Sequence, residues 1–276
     1  MSTDDHPIII GAETLDELAA LEPVAEAVFG RGRRQPGWFA RKLLREGVEA
    51  CLSSVAIVDD RVCGYALLAR APSLGAVARG SGVGVLEPLR GRGIGRALLE
   101  HALARAHAAG CDAAEFLAEP ERVRWYVEQG FVVVEEQLTL LALGTGAPAA
   151  ALADREPAPE RGEALWSWTP EIWERTPALE RAFVERDGAR FWLTREGRAW
   201  LVHRGEPDDP TVIVRGLAAL LRDLAPTTPL LLYPCPAASV ERLREPGFAV
   251  AQRSFVVQRA TAIAGQSPSA RGFSPP

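Results

Sequence analysis

Lysine is nearly missing from this chain: Lys42 is the only one, and arginine supplies almost all of the 31 basic side chains. The number of arginines therefore says little by itself, and only their placement carries information. Acidic groups outnumber basic ones, for a net charge of -5, and no basic stripe runs along the sequence. That excludes nucleic acid as the main partner. No window approaches the roughly 18 consecutive apolar residues of a membrane-spanning helix. The start, Met1-Ser-Thr-Asp-Asp-His6, is polar and acidic where a signal peptide would be basic and then apolar. Both features point to a cytoplasmic protein with no membrane partner. Only four cysteines occur, Cys51, Cys63, Cys111 and Cys235. None forms a Cys-x-x-Cys pair or a Cys/His cluster, so no zinc site is expected. Each lies in an apolar run and reads as a small buried hydrophobe in a reduced compartment. What remains is the composition of an ordinary globular protein, long enough for one large domain or two small ones.

Apolar periodicity and turn residues define an order of elements. Pro7 to Ile10 reads as a strand. Thr14 with Glu17 resembles a capping box ahead of Leu15, Leu18, Leu21, Val24 and Val28 at helical spacing. A second helix is predicted from Trp38 to Arg45. Strands follow over Leu52 to Val58 and Val62 to Ala69, with Asp59-Asp60-Arg61 as a tight turn. A glycine-rich stretch, Gly75 to Gly84, ends in Val83-Gly84-Val85-Leu86. Arg96 to Ala109 is an amphipathic helix with Leu98, Leu99, Ala102, Leu103 and Ala106 on one face, stopped by Gly110. Ala113 to Ala118 reads as a buried strand, and Pro120 opens a helix that runs to Gln129. Phe131 to Val134 and Gln137 to Leu143 are expected as two closing strands. Residues 144–162 look like a linker, and the Ser-, Pro- and Gly-rich segment 262–276 like a disordered tail.

The two halves resemble each other. Val123-Arg-Trp-Tyr126-Val-Glu-Gln-Gly-Phe131 parallels Val240-Glu-Arg-Leu243-Arg-Glu-Pro-Gly-Phe248, at an offset of 117 (248 minus 131). The preceding strands, Ala113 to Leu117 and Leu230 to Pro234, keep that offset. The turn at Asp60-Arg61 pairs with that at Gly197-Arg198, at an offset of 137 (197 minus 60). On that alignment the second copy lacks the glycine-rich strand and the loop after it. It has Pro207-Asp-Asp-Pro210 instead, with Leu243 opposite Tyr126. The expected domains are therefore 1–143, a linker at 144–162, and a degenerate copy at 163–261.

Chemistry concentrates in Arg90-Gly-Arg-Gly-Ile-Gly95. Here a strand runs into glycines and then into a helix start. Glycine lets the backbone approach a ligand closely at positive φ. The first helical N–H groups have no intrahelical acceptor, and the helix dipole favours an anion there. Arg90, Arg92 and Arg96 add positive charge. The segment is a phosphate cradle. It is neither a P-loop, for want of Gly-Lys-Ser/Thr, nor a dinucleotide fingerprint, because Gly91, Gly93 and Gly95 alternate.

Val85-Leu-Glu-Pro-Leu-Arg90-Gly-Arg-Gly-Ile-Gly95-Arg-Ala-Leu-Leu99 resembles the Arg/Gln-x-x-Gly-x-Gly/Ala acyl-CoA signature of the GNAT acetyltransferases. Tyr126-Val-Glu-Gln-Gly-Phe131 resembles the second signature of that family. The order of elements agrees from Pro7 to Leu143. The resemblance implies an α+β fold, a mixed sheet flanked by helices, and here two such domains in tandem. It implies acetyl transfer from acetyl-CoA to a primary amine on a small molecule or peptide, without a metal. Backbone N–H groups of Gly91, Arg92, Gly93, Ile94, Gly95 and Arg96 would hold the pyrophosphate, with Arg90 beside them. Val83, Gly84 and Val85 would line the pantetheine, the two valines pairing with its amides and the glycines at 80, 82 and 84 leaving room. Tyr126 would protonate the departing thiolate.

Two departures qualify the expectation. Glu119 stands where the family often has asparagine. Ala71 to Val85 holds no Asp, Glu or His, so no general base is evident; Glu87 and Glu115 lie nearby but read as solvated or structural charges. A non-catalytic acyl-CoA-binding module is the alternative, and a mycothiol-synthase-like tandem acyltransferase a narrower one. Trp166, Trp168, Trp173, Trp192 and Trp200 read as core of the second half, and His203 as a surface strand residue. A monomer and a homodimer fit equally.

Overall fold

Helix signals at the N-terminus work much as the sequence implies. The computed structural model describes residues 7–30, 36–70, 72–146, 152, 166–167, 170–237, 240–243 and 246–262. Strand β1 (Ile8–Gly11) leads to α1 (Leu15–Ala19), capped by Thr14 Oγ1, which accepts from Glu17 N at 3.2 Å. The Glu17 carboxylate in turn accepts from Glu13 N, one residue outside a true capping box. Helix α2 (Glu22–Ala25) continues into one π-type turn over Glu26–Gly30. Helix α3 (Trp38–Glu46) is bounded by Gly37 and Gly47, both left-handed. Strands β2 (Ser54–Val58) and β3 (Arg61–Arg70) form a hairpin whose turn residues, Asp59 and Asp60, both have positive φ, the geometry of a tight two-residue turn. Then come β4 (Val77–Val85), α4 (Ile94–Ala108), β5 (Ala113–Ala118), α5 (Pro120–Glu128) and β6 (Val132–Leu143).

The second half runs β7 (Trp166–Ser167), α6 (Pro170–Arg175), β8 (Arg181–Arg186), β9 (Ala189–Glu196), β10 (Ala199–Glu206), α7 (Pro210–Asp223), β11 (Pro229–Pro236), α8 (Val240–Leu243) and β12 (Ala249–Ala260). The expected linker lies mostly outside the described residues, as do Trp168 and the tail beyond 262.

Contacts gather the chain into two compact units. Unit 1 holds Met1–Phe116, Tyr126–Val132 and Val257–Pro276; unit 2 holds Leu117–Trp125 and Val133–Val256. In unit 1 the strand order is β1-β2-β3-β4-β5, with the end of β12 beside β5. Only β4 and β5 are parallel among the first five. Helix α4 lies on β1 to β4 through Leu98, Leu99, Ala102, Leu103 and Ala106, all buried, the face its periodicity predicts. Leu18, Phe39, Leu43 and Tyr65 belong to a core formed with α1 to α3. In unit 2 the order is β12-β6-β11-β10-β9-β8, and β10 and β11 are parallel. Its core joins Leu138 and Leu140 of β6 to Phe191, Leu193, Leu217, Leu220 and Leu232. Each unit is thus a mixed α+β sheet flanked by helices.

Several expectations are corrected. The units are interleaved along the chain and do not split at 143. The two strands expected after Phe131 are one, β6, because Glu135-Glu136 offers no turn and the strand runs straight on. It pairs antiparallel with β11, from Gln137↔Pro236 to Leu143↔Pro229. The last residues of β12 take the place beside β5. The repeat also has a different register. By strand order and direction, β8, β9 and β10 answer to β2, β3 and β4, so Asp187-Gly188 is the counterpart of Asp59-Asp60. The Gly197 turn belongs one hairpin later than the sequence alignment puts it. His203 is buried, 2% exposed, and bonds Thr194 Oγ1 at 2.7 Å. Cys51 is exposed, whereas Cys63, Cys111 and Cys235 are buried; burial pushes the Cys235 thiol up to about 12.

One arginine ties unit 1 together. Arg105 Nε donates to Cys51 O and Nη2 to Ala12 O, both at 2.8 Å, with a longer bond to Ala50 O. It passes directly over Gly11, where an added methyl would fall 1.5 Å from Nη1. Gly11→Ala must displace the guanidinium and cost two or three hydrogen bonds. The expected loss is about 1–3 kcal/mol in a urea unfolding curve; a variant as stable as the parent would show these bonds to be dispensable.

Candidate active site

Parallel pairing between β4 and β5 lasts three rungs: Val77↔Ala113, Ala78↔Ala114 and Arg79↔Glu115. The third carries a buried ion pair, Arg79 Nη2 to Glu115 Oε1 at 3.3 Å, with the residues 6% and 8% exposed. Past it, among the described residues, β4 pairs with β3 alone as far as Gly64↔Val85. A bulge sets Ser81 between Leu67↔Gly82 and Leu68↔Gly80. From Gly80 to Val85, therefore, β4 presents one open edge. Leu86 N donates to Cys63 O on β3. Alternation along an extended strand then turns the amides and carbonyls of Val83 and Val85 towards the open edge. The Val85 carbonyl accepts from Arg90 Nε at 3.0 Å, which leaves its N–H as the group a ligand would meet.

The glycines of β4 have a second reason besides room for a ligand. A Cβ at Gly80 would stand 2.0 Å from the Phe116 ring, and one at Gly84 would stand 3.0 Å from Tyr65. Aromatic side chains inside the unit already occupy that space. Tyr65 and Phe116 border the candidate site with no local sequence signal; nothing short of the fold would place them against those glycines.

Beyond β4 the chain makes a turn over Glu87–Leu89 and enters the loop from Arg90. Gly91 and Gly93 both have φ of 79°, which L side chains rarely adopt, and a Cβ at either would meet nothing within 4 Å. Gly93 caps α4 with no side-chain bond, and Ala97 N donates to Gly93 O at 3.0 Å in the first helical turn. The amides of Ile94, Gly95 and Arg96 thus lead out of the helix without an intrahelical acceptor. Ile94 is buried and anchors the turn, while Arg92 and Arg96 are exposed beside it. Amides without an intrahelical acceptor, the positive helix end and two arginines give this turn the electrostatics that favour an anion.

Tyr126 lies in α5, 7% exposed, with ring centroids 5.3 Å from both Phe116 and Phe131. Phe116 is the ring against Gly80, so an unbroken line of contacts joins the point where β4 and β5 part to Tyr126. Glu115 is held in the ion pair with Arg79, and Glu87 is exposed on its turn. Glu119 is exposed and borders a hollow of about 460 Å³ with Pro120, Glu121 and Ala251 to Arg253. Burial pushes the Cys63 thiol above its ordinary value, against nearby Arg92. Among the described residues no group of His, Cys, Asp and Glu is arranged to hold a metal.

Unit 2 repeats the same parting of strands and closes it. Parallel pairing of β10 with β11 covers Trp200 to Val202 and stops. Next comes a bulge, here at His203, as at Ser81 in β4. The strand that the sequence alignment leaves missing is therefore present as β10. Its edge beyond the bulge is taken: β7 pairs antiparallel with it, Arg204↔Ser167 and Gly205↔Trp166. Glu206, fully buried, binds Arg190 and Arg204. At the start of α7, Asp209 Oδ1 accepts from Thr211 N at 2.8 Å and Val212 N at 3.4 Å. A carboxylate satisfies the amides that α4 leaves open, and its charge repels an anion.

Comparison with known proteins agrees with this geometry. The sequence model of the family described as acetyltransferase (GNAT) domain matches residues 49–133. No curated protein matches the chain. An acetyltransferase structure from Pyrococcus horikoshii aligns with a TM-score of 0.64 at 12% identity, covering 94% of this chain and 91% of that one. A GCN5-related N-acetyltransferase from Sphaerobacter thermophilus gives 0.61 at 13%, over 94% and 97%. A tandem GNAT protein from the clavulanic acid biosynthesis pathway gives 0.56 at 14%, over 94% and 100%. At such identities the likeness is one of fold.

Two titrations test the site. Gly93→Val places a branched side chain at φ of 79° in the anion turn, and coenzyme A binding by calorimetry should drop below detection; retained affinity would remove the loop from the site. For the parent chain, coenzyme A should saturate at one molecule per chain. Two equivalent sites would contradict the closed edge and capped helix of unit 2.

Proposed function

The chain carries a GNAT acetyltransferase domain in a tandem fold, and from that premise we propose that unit 1 transfers an acetyl group from acetyl-CoA to a primary amine. The observation that carries the reading is the open β4 edge running into the uncapped start of α4, a combination that unit 2 closes at both points. The amides of Gly91 to Arg96 would hold the pyrophosphate, with Arg92 and Arg96 adding charge. The backbone of Val83 and Val85, with Gly84 between them, would pair with the pantetheine amides. This directs the thioester along the strand towards Gly80 and the aromatic group around Tyr126.

The acceptor amine attacks the thioester carbonyl, the C–S bond breaks, and Tyr126 gives its proton to the departing thiolate. Ala71 to Val85 carries no Asp, Glu or His, so no carboxylate base is assigned: the amine attacks neutral, and the proton its nitrogen sheds leaves through water and restores the Tyr126 hydroxyl. The acceptor is a small molecule or a peptide amine. Four free thiols and a requirement for acetyl-CoA fit a cytoplasmic protein, and no helix among the described residues is long and apolar enough to cross a membrane.

One observation favours a second reading, a non-catalytic acyl-CoA-binding module. Tyr126 is deeply packed between Phe116 and Phe131 and would serve the core without doing chemistry. Tyr126→Phe separates the two, since it keeps the ring and removes the proton. General acid catalysis is worth about 10²–10⁴-fold. Thiol release from acetyl-CoA, followed over a panel of primary amines, should show kcat and kcat/KM falling together in that range, with acetyl-CoA affinity little changed. Turnover at the parental rate would leave Tyr126 as a packing residue, whereas coenzyme A binding by the parent chain without thiol release on any amine would support the binding module.

A further inference from the structure

The last residues of β12, from Val257, belong to unit 1, and one of them joins the two helices that carry the proposed site. Thr261 N donates to Asp112 O at 3.0 Å and Thr261 Oγ1 to Cys111 O, so the end of β12 is bonded to the residues just before β5. Two positions earlier, Arg259 holds the Glu100 carboxylate with both terminal nitrogens, at 2.6 and 3.1 Å. Its Nη1 also donates to the carbonyl of Gln129 at 2.8 Å.

Each partner sits on or beside a helix that carries part of the proposed site. Glu100 is in α4, the helix whose first amides form the anion site. It stands seven residues after Gly93, about 10 Å along the axis at 1.5 Å per residue. Gln129 lies directly after α5, and its own amide donates to Tyr126 O at 3.0 Å. Phe131, one of the two rings against Tyr126, donates its amide to the same carbonyl at 3.1 Å. Between them Gly130 turns at φ of 83°, and the Arg259 chain passes 3.7 Å from where its Cβ would be. A cation at the end of a helix also satisfies a carbonyl that has no partner within the helix. One planar guanidinium thus fixes the turn that ends the Tyr126 helix against the helix that would hold the cofactor.

We infer that Arg259 is a positioning residue for acetyl transfer, setting Tyr126 relative to the cofactor-binding end of α4. The inference rests on the reading of Tyr126 as general acid. A displacement of about 1 Å from a reacting centre costs on the order of 100-fold in rate. A brace that governs such a distance therefore acts on kcat and leaves affinity nearly untouched. Lysine cannot replace it, because a point charge does not reproduce three directed bonds.

The test is a double-mutant cycle on the full chain, with thiol release from acetyl-CoA and primary amines as the rate and calorimetry for acetyl-CoA affinity. Arg259→Met should lower kcat about 10- to 100-fold with affinity within about threefold, and Arg259→Lys should restore little. Glu100→Gln keeps one neutral bond and should give a smaller loss in the same direction; it also serves if Arg259→Met does not fold. Because Arg259 acts through Tyr126, the pair Tyr126→Phe with Arg259→Met should lose no more than Tyr126→Phe alone. If Tyr126→Phe is impaired while the Arg259 and Glu100 variants turn over normally, or the losses multiply, Arg259 is a structural residue and the inference is overturned. A merely structural role would lower the melting temperature without this interdependence. If Tyr126→Phe turns over normally, the general-acid reading itself fails, and the inference with it.

Discussion

Everything particular to this protein depends on β4 parting from β5 after three hydrogen-bonded rungs. Backbone amides inside a fold must find partners, and a strand that leaves its neighbour exposes a row without any. Two devices make the parting tolerable. The buried Arg79–Glu115 pair closes the last rung, and the bulge at Ser81 bends the strand while it stays on β3. A buried ion pair is a weak source of stability, yet removing one partner leaves an uncompensated charge. Here it marks the rung at which the sheet divides.

The two units answer the same backbone problem in different ways. Unit 1 keeps the edge of β4 open and the start of α4 uncapped, so an extended ligand ending in phosphates would satisfy both at once. Unit 2 satisfies them internally, with β7 along β10 and Asp209 at the start of α7. Few residues separate the two outcomes: Gly93 against Asp209 at the helix cap, and glycines at 80, 82 and 84 against a strand that carries His203, Arg204 and Glu206. The fold is retained while the ligand position is filled by the chain itself.

Local features of the fold were legible in the sequence and non-local ones were not. The helix face of Leu98 to Ala106 follows from spacing, and the cradle follows from glycine ahead of a helix start. The Asp59-Asp60 turn and the strand at Ala113 are equally local. Exchange of β6 and β12 between the units left no local signal, since the residues of a strand do not name the strand it pairs with. The correct register of the repeat was hidden for a similar reason. β10 matches β4 in strand order, direction and bulge, but its side chains are unrelated. His203 looks like a surface residue in a polar stretch, and only pairing with Thr194 reveals a satisfied buried imidazole. Tyr65 and Phe116 enter the site through contacts with glycines distant in sequence.

Interleaving also bears on how the chain acquires its fold. Glu100 and Arg259 are 159 residues apart in sequence, and ribosomes make the first long before the second. The loop entropy of closing such a span must be met before the contact contributes anything. While the second half is being made, the β5 edge of unit 1 waits uncovered, and an uncovered edge is a template for pairing with other chains. A frameshift or stop anywhere before Val257 would remove the strand that completes unit 1, although every residue of the cradle and Tyr126 had already been translated. In this protein the integrity of the first unit reports on the synthesis of the second.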